Sequence, residues 1–192
     1  MEMLEVAEWG GASVERGSAQ DERVDARGVY LIECIGADGQ LKWQEKARNL
    51  VTTVGKNEVL DKALAGSSYT VVGPYLGLIS STSYSAIAAS DTMSSHSGWT
   101  EAGGTNPPTY SGSRKTAVWA GASAGAKALA APLSFGITGS GTVKGCFMVL
   151  GSAGTDAIDG TAGILLSAGL FAGGDKAVAN GDTLNVSYSL GL

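Results

Sequence analysis

Glycine is the residue that constrains this chain most, because 29 of its 192 positions have no side chain. In a helix interior each glycine costs about 1 kcal/mol, whereas tight turns use its access to positive φ. Short strands joined by turns therefore fit better than long helices. Aromatic residues make up 7% and charged residues 16%, the latter well below the about 25% of an average soluble domain. Length allows one large domain with a real core, and two domains are not expected.

Charge is distributed unevenly along the sequence. Of the 31 charged residues, 20 fall in the first 62 positions and 11 in the remaining 130. A free monomer usually intersperses charge over its surface, so the neutral, Ser-, Thr-, Ala- and Gly-rich later part points to faces that meet other subunits. The net charge of −5 argues against a nucleic-acid partner, which needs a basic face; the only adjacent basic pair is Arg114-Lys115. No apolar run approaches the ~20 residues of a bilayer span. Residues 1–10 lack the basic start and apolar middle of a signal peptide. The expectation is a chain made in the cytoplasm, with no membrane partner. Cys34 and Cys146 fall inside expected strands, where a thiol acts as a small buried hydrophobe, and a disulfide between them is disfavoured.

Residues 1–27 read as an extended N-terminal arm and residues 28–192 as the β domain. In the arm, Glu2, Glu5, Glu8, Glu15, Asp21, Glu22 and Asp25 are interspersed with Arg16, Arg23 and Arg27, and Trp9 is its apolar anchor. A hairpin follows: a strand over 29–35, a turn at Asp38-Gly39, and a return strand over 41–45. A further extended piece is expected over 49–54. A short helix capped by Asn57 comes next, with Val59, Leu60, Ala63 and Leu64 as its core stripe and Gly66 as its stop. Tyr75, Leu76, Leu78 and Ile79 form a strand. Beyond it, the irregular stretch to Glu101 spends the only histidine, a Met and a Trp, so it should be packed against something. Strands are expected over 115–119, 133–137, 143–150, 164–171 and 183–190, the last entered through Asn180-Gly181 with Leu184, Val186, Tyr188 and Leu190 on one face. About eight strands and one short helix indicate an all-β, two-sheet sandwich of jelly-roll type.

Chemistry has little to build on. His96 has Asp91, Ser94 and Ser95 as sequence neighbours, but a catalytic set requires convergent geometry; the reading is a loop held by hydrogen bonds from Asp91 or Thr92. One histidine and two distant cysteines make no zinc set. Asp156 with Asp159, and Asp175 with Asp182, match no EF-hand loop and read as turn formers. The glycine run from Gly121 to Gly125 lacks the following Lys-Ser/Thr of a phosphate loop. Trp9, Trp43, Trp99 and Trp119 lie on separate elements and read as packing anchors rather than a sugar platform. No catalytic residue, metal or cofactor is expected.

The runs Leu41-Lys42-Trp43, Asn49-Leu50-Val51-Thr52-Thr53-Val54-Gly55-Lys56-Asn57 and Leu60-Asp61-Lys62, then Tyr75-Leu76-Gly77-Leu78-Ile79, Asp91-Thr92-Met93, His96-Ser97-Gly98-Trp99-Thr100-Glu101 and Asn180-Gly181-Asp182-Thr183-Leu184-Asn185-Val186, resemble small structural proteins of tailed bacteriophages. The resemblance covers residues 29–192 and leaves the arm outside it. It implies a virion component on the capsid exterior, a decoration or cement protein. Its partners would be the major capsid protein and further copies of itself, as a dimer or trimer. The candidate interface is Trp9, Arg16, Arg23, Arg27, Met93, His96 and Trp99. The alternative is a tail or fibre-associated protein that contacts the host through the Trp99 loop.

Overall fold

The structure is a computed structural model that describes residues 26–64, 73–151 and 155–191. The expected anchor and cations of the arm, Trp9, Arg16 and Arg23, lie outside the described residues. Eleven strands and one helix make up the described chain. They are β1 (Arg27–Ile35), β2 (Leu41–Val51), α1 (Thr53–Leu64), β3 (Tyr75–Ser80), β4 (Thr109–Tyr110), β5 (Lys115–Thr116), β6 (Ala126–Ala128), β7 (Leu133–Gly139), β8 (Gly141–Leu150), β9 (Ile164–Phe171), β10 (Lys176–Val178) and β11 (Thr183–Gly191). The all-β class stands.

The finer expectation of two sheets in a jelly roll is not what the pairing traces. Hydrogen bonding follows one path, β4-β7-β11-β1-β2-β9-β8-β3-β5, with β10 added to β8 and β6 to β11, and every pair is antiparallel. The two strands at the ends of this path, β4 and β5, are separated in sequence only by residues 111–114. Nine strands laid flat would span about 38 Å at ~4.8 Å per interval, while four residues extend to at most about 14 Å, or ~18 Å with both bonds to the strands. The sheet must therefore curl until its edges meet. Across the seam, Lys115 Nζ leaves β5 to sit 5.5 Å from the ring centres of Tyr110 in β4 and Phe135 in β7.

Curling creates an inner face, and period-2 alternation decides what fills it. Tyr30, Ile32 and Cys34 of β1 and Leu184, Val186 and Tyr188 of β11 point inward, joined by Phe135, Ile137, Leu76, Leu78, Cys146 and Met148. The register pairs Tyr30 with Tyr188 and Cys34 with Leu184. Gly28 belongs to this face: a Cβ there would lie 2.3 Å from the Tyr188 hydroxyl oxygen, a position filled by the hydrogen bond that Asn49 Nδ2 donates to that oxygen. Both cysteines are buried and free. Burial pushes the Cys34 thiol up to about 11, with Asp182 adding to the effect, and burial raises Cys146 further.

Two expectations near the hairpin need correction. Residues 41–45 and 49–54 are not separate extended pieces; β2 is one strand of 11 residues. Its alternation passes unbroken through the polar middle, with Ala47 and Val51 buried and Lys46, Arg48 and Leu50 exposed. The helix also starts earlier than Asn57. Thr52 Oγ1 accepts a hydrogen bond from the Gly55 amide at 3.0 Å, the geometry of an N-cap, while its hydroxyl donates to the Leu165 carbonyl. A Cβ on Gly55 would sit 2.4 Å from the Leu166 carbonyl oxygen, so α1 meets β9 backbone to backbone through its first turn. The expected core stripe is largely in solvent, with Val59 and Leu60 exposed, Leu60 at 55%.

Ion pairs tie outlying strands to the sheet. Glu45 of β2 takes Lys176 of β10 on Oε1 at 2.6 Å and the Gly173 amide on Oε2 at 3.2 Å. The Lys176 hydrogen bond, with help from Gly173, holds the Glu45 carboxyl below its ordinary value of 4.5. A carboxyl depressed in the folded state contributes stability that is whole above the ordinary value and fades as pH falls through the folded one. Urea unfolding measured from pH 6 to pH 3 should show this loss, and Glu45→Gln should shrink the difference between the two ends of the range. An unchanged slope in that variant would remove Glu45 from the account.

Candidate functional site

The chain between β3 and β4 folds over the outer face of β3, β8 and β9 and makes a second core there. Ile79, Phe147, Val149, Leu165 and Ala168 project outward from the strands, and Met93 and Trp99 cover them. Trp99 is 1% exposed, with its ring 5.2 Å from that of Phe147. Its indole N–H donates to Asp91 Oδ2 at 3.0 Å, and the same oxygen accepts the Ala88 amide at 2.9 Å. His96 stacks on Trp99 at 3.9 Å between ring centres and places Nδ1 3.1 Å from the Trp99 carbonyl. The expectation of a packed loop held by Asp91 is met, although Asp91 grips Trp99 and not His96.

Below this loop lies a buried ion pair. Arg114 donates from Nε to Glu101 Oε1 at 2.8 Å and from a terminal nitrogen to Oε2 at 2.6 Å. It also donates to the carbonyls of Thr155 at 3.1 Å and Gly160 at 2.8 Å. The Asp159 amide donates to Glu101 Oε2 at 2.8 Å, and the guanidinium lies 5.2 Å above the Phe147 ring. Burial pushes the Glu101 carboxyl above its ordinary value, with Arg114 opposing that rise. His96, Trp99, Thr100, Glu101, Asn106, Arg114 and Asp159 line a cleft of about 220 Å³. Arg114 has no exposed side-chain surface and its bonds run to protein groups, so this cluster fastens the 81–108 and 155–161 segments together. It offers no arrangement of nucleophile, base and orienting carboxylate.

Further along the sheet the outer face is bare of any described loop. On β1, Val29 and Leu31 lie opposite Arg48 and Lys46 of β2, and Arg48 lies opposite Leu170 of β9. Val29 is 36% and Leu50 39% exposed. Tyr84, Ile87, Leu50, Lys46, Arg48 and Leu170 border a groove of about 590 Å³ where the covering loop ends. Arg27, Val29 and Arg48 border a second hollow of about 310 Å³ beside it.

The sequence-derived interface is thus divided by the fold. Arg27 opens β1 beside the bare face. Met93 and Trp99 point into the second core and present no contact surface, because the apolar side chains of β3, β8 and β9 need cover. His96 is half-buried on top of Trp99. Sequence reading passed over Glu101 and Arg114, although a lone charge in a stretch this neutral must be paired or exposed. It also passed over Lys46 and Arg48, whose alternation with Ala47 marks them as outward-facing. The remaining described tryptophans are packing anchors in separate places, Trp43 against Phe171 and Trp119 against Tyr188. Among the described residues no group of three or more His, Cys, Asp or Glu gathers as a metal site. Comparison of the chain with protein-family models, curated proteins and solved structures finds no match.

Proposed function

We propose that this chain is a bacteriophage capsid decoration protein, which binds the outside of the assembled head and bridges neighbouring major capsid subunits. The observation that carries this reading is the bare outer face of β11, β1 and β2. Its inward side chains Tyr30, Ile32, Ala47, Val186 and Tyr188 are buried, yet Val29 and Leu50 stay more than a third exposed beside Lys46 and Arg48. A rigid sheet that leaves aliphatic side chains among charges in water has the makings of an interface core with a polar rim. The resemblance of residues 29–192 to tailed-phage structural proteins supplies the shell as partner. Cement action needs only modest area per copy, because contacts repeated over a shell add by multivalency. The alternative of a tail or fibre-associated protein has less support, since it relied on presenting Trp99, which is buried.

Particles lacking this chain should lose infectivity and release DNA at lower temperature and under milder osmotic shock than complete particles. Adding back purified protein should restore resistance, and the Val29→Asp, Leu50→Asp variant should not. Equal resistance with and without the chain would rule out a stabilising role.

A further inference from the structure

The whole net charge of the chain resides in residues 1–25. That segment holds seven acidic and two basic residues, while residues 26–192 hold 11 of each. The body is neutral overall, yet Lys46 and Arg48 stand on its bare outer face with no ion pair among the described residues. Opposite them, Tyr84 and Ile87 form the other wall of the groove, and Ala168, Gly169, Leu170 and Ala172 line the rest of it. The small residues leave room for an incoming chain, the walls offer apolar contact, and one side is basic. An extended acidic segment with apolar residues between its carboxylates is the matching chemistry.

The described chain begins where such a segment would enter. Val29 lies opposite Arg48, so Arg27, two residues earlier, stands at the end of the sheet nearest Leu50. Arg27 and Arg48 border the same hollow, and Ala26 packs against the inner core. The 25 residues that precede Ala26 therefore leave the body one strand from the groove. At about 3.3 Å per extended residue they reach on the order of 80 Å, ample to cross a groove bordered on β2 by Lys46, Arg48 and Leu50. A tether this short gives the attached segment an effective concentration in the millimolar range, which favours it over a free partner of similar affinity at lower concentration.

We propose that in the free protein the chain's own acidic segment, residues 1–25, lies in the groove bounded by Lys46, Arg48, Tyr84 and Ile87. It covers the face assigned above to the shell. The inference goes beyond the capsid reading and is tested on the free full-length chain, so either can fail alone. In carbodiimide cross-linking of dilute protein, an arm carboxylate and the Lys46 amine condense to an amide with loss of water. Mass spectrometry should find Lys46 joined to one of Glu2, Glu5, Glu8, Glu15, Asp21, Glu22 or Asp25 of the same chain. Trypsin should cut after Arg16 and Arg23 slowly. In the Lys46→Glu, Arg48→Glu variant, with its melting transition intact, cutting should be about tenfold faster, as expected for two lost exposed charge contacts. Adding Glu5→Lys and Glu8→Lys should restore protection. Unchanged cutting in the charge-reversed variant would overturn the proposal, as would Lys46 cross-links only to body carboxylates such as Glu33. Cross-links mainly between isotopically distinct copies would also overturn it, assigning the groove to a second molecule.

Discussion

Arg114→Ala should cost about 3–5 kcal/mol of stability in urea unfolding, the effect expected when one partner of a buried ion pair is removed. The guanidinium is wholly buried and the Glu101 side chain nearly so. Among the described residues, removing the cation leaves only the Asp159 amide to answer the carboxylate, and it also frees the carbonyls of Thr155 and Gly160. Burial already pushes the Glu101 carboxyl up with Arg114 present; without the cation nothing of comparable strength opposes that push. The single variant should therefore take up a proton at Glu101 on folding. Its deficit should narrow on mild acidification, since a raised folded-state value stabilises on the acid side and loses that contribution as pH rises. Replacing both partners, as Glu101→Leu with Arg114→Met, should recover most of the loss, because the desolvation cost disappears with the charges. An Arg114→Ala variant within 1 kcal/mol of the parent would show that water reaches the pair.

Trp99→Ala should be the next most damaging change, at about 3–5 kcal/mol for an aromatic side chain truncated in a core. Its effect should also be local in a way that Arg114→Ala is not. Trp99 joins three things: the apolar face of Phe147, the Asp91 carboxylate that also holds the Ala88 amide, and the stacked His96 ring. Losing the indole releases the loop from the strands while leaving the inner core untouched. Amide exchange should accelerate first over residues 84–101, with Tyr30, Ile32 and Val186 retaining protection. Uniform acceleration across the sheet would mean that the outer core is part of the same cooperative unit as the inner one. Trp99→Phe keeps a ring over Phe147 while removing the donor to Asp91 together with part of the indole's contact area, so its cost should fall between those of the parent and Trp99→Ala.

The parts of this fold legible in the sequence are those where one local rule decides. Leu184, Val186 and Tyr188 alternate because β11 has one packed and one open face, and the Asn180-Gly181 turn needs a positive φ that Gly181 supplies at 91°. Tyr75 to Ile79 read as a strand for similar reasons. The helix start was obscured because Val51-Thr52-Thr53-Val54 is β-branched throughout. Such residues favour strands, and nothing local reveals that Thr52 Oγ1 will turn to cap the amide of Gly55. The stripe on α1 misled because its core-facing contact is the side-chain-free Gly55 against Leu166. Short strands such as β4, β5 and β6, of two or three residues each, exist only where the curled sheet brings partners to them. The same holds for the site. Glu101 and Arg114 sit in loops without periodicity, and their meeting depends on the seam between β4 and β5. Lys46 and Arg48 were visible as charges two positions apart, but placing them on one strand face required β2 to run unbroken from Leu41 to Val51.

The pairing of β1 with β11, from Arg27↔Gly191 to Ile35↔Thr183, has a consequence for biosynthesis. As the polypeptide leaves the ribosome, β1 gains β2 at once through the hairpin, yet its other edge waits until almost all the remaining strands have been made. Contacts this distant along the chain are slow to form. For that interval the nascent protein displays a nine-residue row of unsatisfied amides and carbonyls, a template for strand addition by another chain. Chaperone occupancy of that edge, and misassembly wherever translation stalls before β11, are the expected costs of placing the first and last described strands side by side.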